Sequence, residues 1–308
     1  MTEAKRGGIM TERRVPKWSG YGSHRLGATV LLRVRPGRPP RCGTTVPRVK
    51  VQGRSELRRR LLPRDGELFA GDVRVRVRAW NGDPGRAFLI VTGGHLDTRD
   101  VLDADEARRW LPALRGAGFA DVRTNALASG PAAAFSAAGF SPIQSLVLLS
   151  KPLAGVHRAR IDGPRVRSVT RRRVLWSARA LRSRLVACDG ASFPGEWTMD
   201  DASLRDALAA TTVARVFIHE VDGDVGGFLL AGSTGDTGYI QRLAVDPRFR
   251  RRGIAAALLS ESTAWLGSVG CATVVVNTER DNAAALALYG VHGFVAGGTG
   301  LSVMARAL

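Results

Sequence analysis

The sequence predicts a protein of the α/β (α+β) class, with a mixed central sheet that is flanked by helices. Strand-like apolar segments alternate with alanine-rich helical segments through the C-terminal half of the chain. The dipeptide Asp222-Gly223 joins two of those strands and is typical of a hairpin turn. A shorter copy of the same pattern precedes them. With 308 residues, of which 44% are hydrophobic, the chain can form two ordinary domains or one domain with appendages.

The C-terminal elements follow from periodicity and capping. Helices are predicted at 176–193 and at 199–211, the second with Asp200 or Asp201 as its N-cap. The remaining elements, in order, are the two strands of the hairpin, the strand "GYIQRLAVDP", the long helix "RRRGIAAALLSESTAWLGSVG", the strand "ATVVVNT", the helix "DNAAALALYGVHGF" and the strand "LSVMARAL". The order ααβββαβαβ predicts strands that are covered by helices.

The N-terminal half resembles part of this pattern. "DVRVRVRAW" (72–80) alternates valine with arginine, as a half-buried strand does, and 103–119 reads as a helix with a capping box of Asp103 and Glu106. The stretch 118–140 aligns with 270–294 if the second copy gains two residues, which indicates an internal repeat. The alternative is a small, unrelated α/β unit.

The positive charge is concentrated in two segments. The formal net charge is +19, and arginine is dense in residues 1–70 and 155–184, whereas 185–308 is mildly acidic. We expect 1–70 to be disordered, or not to be made if the start codon lies further downstream. Four regions result: the tail 1–70, a degenerate half at 71–153, a basic linker at 154–175, and a main domain at 176–308. Any binding to nucleic acid is expected to be confined to the tail and linker.

Other classes are disfavoured by composition. The three cysteines have no disulfide or zinc spacing, and the five histidines have no ligand spacing, so we expect neither a disulfide framework nor a metal. No apolar run is long enough to span a membrane. We therefore expect a cytoplasmic protein without membrane contact.

Four arginines crowd the turn between a buried strand and a helix in "DPRFRRRGIAAALL" (246–259). The first N–H groups of a helix and the helix dipole together form an anion site. Gly253 and Ala255 would let the backbone approach a pyrophosphate, and the arginines would add charge. A solvated turn and a nucleic-acid-binding patch are the alternative interpretations of the same stretch of sequence.

In context, this corner resembles the GNAT superfamily of acetyl-CoA-dependent N-acetyltransferases. The strand residues Leu243, Val245 and Pro247 are followed by the R-x-x-G-x-A motif and then by "NAAALALYGVHGF". The resemblance covers about 185–308, and "ACDGASFPGEW" is similar to the ribosomal-protein-type N-terminal acetyltransferases. The first repeat lacks the R-x-x-G-x-A motif and has Phe135 where the second has Tyr289, so we expect it to be non-catalytic.

The resemblance implies acetyl-CoA as co-substrate, a primary amine as acceptor (a protein N-terminus or a small amine) and direct transfer in a ternary complex. Tyr289 would protonate the leaving thiolate; the alternative is a core aromatic that packs on Phe294. The residues implied in binding coenzyme A are Leu243, Ala244, Val245, Arg250, Arg251, Arg252, Gly253, Ile254, Ala255, Ala256 and Asn282.

The general base stays open, because Asn277 stands where those relatives have glutamate. The base is either a water chain or another carboxylate, for which Glu196, Glu220 and Glu279 are candidates that the sequence does not rank. The competing function is a non-catalytic protein that binds coenzyme A, or a nucleic-acid-associated protein that uses its arginine-rich segments.

Overall fold

The computed structural model describes residues 65–70, 73–81, 83–92, 102–153, 163–298 and 300–308. Within them one sheet has the order β1-β2-β3-β4-β12-β5-β10-β9-β8-β7-β6, with the short β11 beside β5. Its strands are β1 (Asp65–Ala70), β2 (Val73–Trp80), β3 (Asp83–Thr92), β4 (Asp121–Thr124), β5 (Ser141–Pro152), β6 (Arg167–Thr170), β7 (Val213–Val221), β8 (Asp224–Thr234), β9 (Thr237–Val245), β10 (Thr273–Glu279), β11 (Val295–Ala296) and β12 (Leu301–Ala307).

Seven α-helices cover the sheet within the described residues. They are α1 (Ala104–Gly116), α2 (Ser129–Ala137), α3 (Arg171–Ser177), α4 (Arg179–Ser192), α5 (Asp201–Ala209), α6 (Ile254–Ser268) and α7 (Ala283–Val291). On the central strand β8, Leu229 packs in the cluster with α6, whereas its neighbours Phe228 and Leu230 pack in the cluster with α4 and α5. Because strand side chains alternate between faces, the C-terminal sheet has helices on both of them. The α/β class with a mixed sheet is confirmed.

The two halves of the chain exchange strands. The C-terminal strand β12 lies between β4 and β5 and is antiparallel to both, and β5 lies between β12 and β10. The last long strand of each half is thus inserted into the sheet of the other. The hydrogen-bonded ladder therefore runs without a break from the first half into the second.

The segments aligned as a repeat occupy corresponding places in the structure. Gly118 and Gly270, each at φ 90°, follow α1 and α6. Each half then has one parallel strand pair, β3 with β4 and β9 with β10. The N–H of Phe140 donates to the carbonyl of Phe135, and that of Phe294 to that of Tyr289, both at 3.0 Å.

Local signals in the sequence gave the expected local structures. Asp103 and Glu106 form the capping box of α1, and Asp200 caps α5 by accepting from the N–H of Ser203 at 2.7 Å. Asp222 and Gly223 have φ values of 50° and 86° and connect β7 to β8. Positive φ at both positions is the type I′ hairpin geometry.

Two boundaries differ from the expectation. The strand β1 lies inside the segment 1–70, and β6 and the start of α3 lie inside the segment 154–175. Apolar residues spaced among the arginines explain the second difference, because Val169 and Val174 are buried against β7 and α4. Residues 1–64 and 154–162 lie outside the described residues.

Candidate active site

The parallel strands β9 and β10 separate to form a cleft. Their pairing runs from Thr237 opposite Thr273 to Ile240 opposite Val276 and ends there. On the other side of β9 the register with β8 shifts, which leaves Gln241 as a bulge. A bulge bends its strand and increases its twist. Residues 243–245 thus continue along β9 where β10 no longer pairs with it.

The turn at the end of β9 leads into α6 through two left-handed residues. Arg251 has φ 63° and Gly253, the N-cap of α6, has φ 76°. No side chain caps the first turn, which begins with the buried Ile254 and the half-buried Ala255 and Ala256. Uncapped N–H groups at a helix start are suited to bind an anion. The geometry therefore fits the predicted phosphate cradle.

The four arginines of this turn have different environments. Arg248 donates to the buried carboxylate of Asp246 at 2.8–3.2 Å, and this hydrogen bonding lowers the pKa of Asp246. Arg250 donates from Nε to the carbonyl of Val245 and from Nη2 to that of Ser192, both at 3.1 Å. Arg251 and Arg252 are exposed. Two arginines brace the corner, and two remain at its surface.

Asn282 and Tyr289 lie on α7. Asn282 is the N-cap of this helix, and its Oδ1 accepts from the N–H of Ala285 at 3.1 Å. Tyr289 is only 5% exposed, its ring centroid is 5.6 Å from that of Phe294, and burial raises its pKa to about 12. The phenol therefore stays protonated at neutral pH, as a proton donor must. The packing on Phe294 is present as well.

A cavity of about 640 Å³ opens between the two halves of the chain. The first half contributes residues of β4 and β5, and the second contributes the turn 195–197 and the end of β10. Its lining residues are Arg123, Ile143, Gln144, Ser145, Glu196, Trp197, Glu279, Arg280 and Asp281.

The structure separates the three candidate bases. Glu196 and Glu279 both line the cavity, and Gln144 donates to Glu279. Glu220 instead accepts from Arg167 and Arg184, and hydrogen bonding from Arg167 is the main cause that lowers its pKa to about 2. Glu220 is therefore a structural ion-pair residue.

Sequence reasoning missed the contacts that hold the turn of Glu196. From the first half, Nη1 of Arg123 donates to Oε2 of Glu196 at 3.0 Å, and Nε1 of Trp80 donates to its carbonyl at 2.8 Å. The Arg123 guanidinium lies 5.6 Å and 5.7 Å from the ring centroids of Trp80 and Trp197. No local pattern connects these residues, because the partners lie 73 and 116 positions apart.

In the first half, the parallel strands β3 and β4 stay connected at the position where β9 and β10 of the second half separate. The N–H of Asn125 donates to the carbonyl of Leu89 at 2.9 Å, and its Oδ1 accepts from the N–H of Val91 at 3.1 Å. Asn125 aligns with Asn277, beside which β9 and β10 diverge. The asparagine thus extends the contact between β3 and β4 by a backbone and a side-chain hydrogen bond.

Among the described residues, no cluster of histidine, cysteine, aspartate or glutamate could hold a metal ion. No helix in that part of the chain is long and apolar enough to cross a membrane.

A β-bulge, a split pair of parallel strands and a glycine-capped helix define this site, and the comparisons agree on its class. Residues 183–294 match the model of the acetyltransferase (GNAT) family. A mycothiol acetyltransferase from Thermobispora bispora is 30% identical over an alignment of 199 residues that covers 60% of this chain and 66% of that protein. Residues 183–294 are therefore similar to the acetyltransferase domain of the GNAT family, and the chain spans just under two thirds of the length of the curated relative.

Solved structures share the fold at low identity. A tandem GNAT protein from the clavulanic acid biosynthesis pathway has a TM-score of 0.56 at 12% identity, over 78% of this chain and 81% of that one. A GCN5-related N-acetyltransferase from Sphaerobacter thermophilus has a TM-score of 0.51 at 15% identity, over 77% and 76%. The finer resemblance to ribosomal-protein N-terminal acetyltransferases stays a prediction.

Proposed function

We propose that this protein is an N-acetyltransferase that moves acetyl from acetyl-CoA to a small primary amine by direct transfer in a ternary complex. The observation that carries the proposal is the cleft between β9 and β10, which ends at the uncapped start of α6. A cytoplasmic location fits the free, buried thiols of Cys188 and Cys271.

Coenzyme A would lie along the diverging part of β9. Backbone groups of Leu243, Ala244 and Val245 would bond the pantetheine arm, and the N–H groups at the start of α6 would bind the pyrophosphate. Arg251 and Arg252 are exposed and add positive charge there, whereas Arg250 holds the end of β9 in place. Asn282, as the N-cap of α7, would act by setting the start of that helix beside the arm.

The acceptor would bind in the cavity between the halves. Residues from both halves enclose it, and a volume of about 640 Å³ is the size of a small-molecule site. This favours a small amine over a protein N-terminus, as does the similarity to an enzyme named for mycothiol. Three carboxylates and two arginines line the walls, so the cavity suits a polar, cationic amine.

The reaction needs a neutral amine, a polarised thioester and two proton movements. A carboxylate of Glu196 or Glu279 would take the proton as the amine nitrogen bonds to the acetyl carbon, and an amide of β9 near Val245 would donate to the carbonyl oxygen. The carbon–sulfur bond then breaks, and Tyr289 would give its proton to the thiolate. The first half would act without chemistry of its own, by closing the acceptor cavity.

Calorimetric titration of acetyl-CoA into the full chain tests the cofactor site. Gly253→Glu places a carboxylate at the cradle, and we expect it to abolish micromolar binding. Gly118→Glu is the matched control, because Gly118 is also left-handed, at φ 90°, with open space around it. Wild-type affinity in Gly253→Glu would refute the cradle. Acetylation of a panel of small amines, compared with N-terminal peptides, then tests the transfer.

A further inference from the structure

The short helix α3 is anchored to the protein by its inner side. Val174 is fully buried on its inner side, and Nη1 of Arg171 donates to the carbonyl of Thr211 at 3.1 Å. Arg182 is itself buried and paired with Asp201, and its Nη1 donates to the carbonyls of Val174 and Leu175 at 2.8 and 3.1 Å. These contacts satisfy the end of the helix and fix its orientation.

The outer side of α3 carries an exposed aromatic ring between exposed cations. Trp176 is 83% exposed, which is extreme for the largest apolar side chain. Arg172 and Arg173 are exposed and lie four and three positions before it, so all three share one side of the helix. Arg179, the first residue of α4, is exposed next to them. We name Arg172, Arg173, Trp176 and Arg179 the α3 surface.

Within the described residues, no acidic side chain neutralises the charge of the α3 surface. Among the described residues no carboxylate pairs with the three arginines of the α3 surface. The nearby Asp201 forms ion pairs with Arg182 and Arg205 instead. The acetyl-transfer site does not use this surface, because α3 packs in the cluster of α4 and α5 and the start of α6 packs in the opposite one. The helix α3 and the start of α4 thus present exposed cations around an exposed π face.

The ligand that fits the α3 surface is a single-stranded nucleic acid, which has a phosphate backbone and unstacked bases. Guanidinium groups bind phosphates, and a tryptophan face stacks with any base. A lipid surface fits less well, since membrane-binding helices need a broad apolar face. The apolar side of α3 is already buried, and Trp176 is the one large apolar side chain on its outer side. We propose that the α3 surface binds single-stranded RNA, with Arg172 and Arg173 on phosphates and Trp176 stacked on a base.

The test is fluorescence anisotropy of a labelled twelve-nucleotide polyuridine strand with the full chain at several salt concentrations. Trp176→Ala should weaken binding by roughly 5- to 100-fold, and Trp176→Phe should restore most of it. Arg172→Glu/Arg173→Glu should lower the slope of log K against log salt by about 1.4 or more. Arg109→Glu/Arg115→Glu, on the exposed side of α1, is the matched control for net charge.

Equal weakening in the two double variants would overturn the proposal, because the strand would then respond to net charge alone. Wild-type binding by Trp176→Ala would overturn it as well. Binding to phosphatidylserine vesicles that depends on Trp176, without binding to the oligonucleotide, would assign the surface to a membrane instead. Acetyl-CoA titration of the same variants should give wild-type affinity, which keeps this test separate from that of the cofactor site.

Discussion

The buried pair of Asp189 and Arg242 links β9 to the turn 195–197, which carries Glu196. Asp189 is fully buried and accepts from Nε and Nη2 of Arg242 at 2.7 and 2.8 Å, and from the N–H of Met199 at 2.7 Å. Nη2 of Arg242 also donates to the carbonyl of Trp197 at 2.8 Å. Arg242 lies on β9, next to the bulge at Gln241. One carboxylate thus fixes the turn that carries Glu196 relative to the cleft.

Replacing Asp189 with asparagine keeps the volume of the side chain but removes its charge. Loss of one member of a buried ion pair costs about 3–5 kcal/mol, because the other charge stays buried without compensation. Arg242 is 20% exposed, so water can solvate part of its guanidinium. We therefore expect a loss of about 3 kcal/mol, which lowers Tm by about 6–12 °C for a chain of this size.

Thermal and urea unfolding of Asp189→Asn, Arg242→Met and the double variant Asp189→Asn/Arg242→Met measure this cost. The double variant leaves no unpaired charge, so it should lose less than the sum of the single changes. Asp236→Asn, at an exposed turn, is the control and should stay within about 0.5 kcal/mol. A Tm of Asp189→Asn within about 2 °C of wild type, or strictly additive losses, would refute the reasoning.

Three further predictions concern the site and the ion pairs. Tyr289→Phe should lower kcat by roughly 10²–10⁴-fold, with unchanged acetyl-CoA affinity in calorimetry. Because the pKa of Tyr289 is raised to about 12, deprotonation of its phenol should not reduce the wild-type rate up to about pH 10. The pKa of Glu220 falls to about 2 in the folded protein, so its ion pairs stabilise the fold above about pH 4.5 and are lost as the pH drops towards 2. The urea midpoint of Glu220→Gln should therefore fall less steeply with decreasing pH than the midpoint of wild type. Parallel plots of midpoint against pH would contradict this. Because Asn125 closes the first cleft, acetyl-CoA should bind with a stoichiometry of one per chain, and a value of two would show that the first half binds it as well.

The sequence predicted those parts of the fold that depend on neighbouring residues. The capping box at Asp103 and the hairpin at Asp222-Gly223 formed as expected, because each needs only contacts within three or four positions. The corner at Gly253 differs from the expectation, because the predicted helix included the preceding arginines, whereas α6 begins at Ile254 with Gly253 as its left-handed N-cap. The predicted contacts of these residues with coenzyme A stay predictions.

The arginine-rich segments were harder to interpret. Composition alone suggested a linker at 154–175, yet Val169 and Val174 bury themselves and form an edge strand and a helix. Val75 and Val77 on β2 are buried as expected, whereas Arg76 faces the other half instead of solvent and pairs with Asp206 at 2.6 Å. A charge pattern predicts which side of a strand is polar, but not what that side meets.

The sequence by itself predicted the capping box, the hairpin, the two similar segments and the similarity of the second half to the GNAT family, since each of these is a pattern within a short stretch of residues. Only the tertiary structure decided that β5 and β12 exchange places, and that Arg123 of one half holds Glu196 of the other. Which strands pair and which residues line the cavity depend on the free energy of packing the whole chain. Leu146 of β5 and Leu301 of β12, for example, are paired in the sheet, but nothing in the sequence near either residue predicts that pairing.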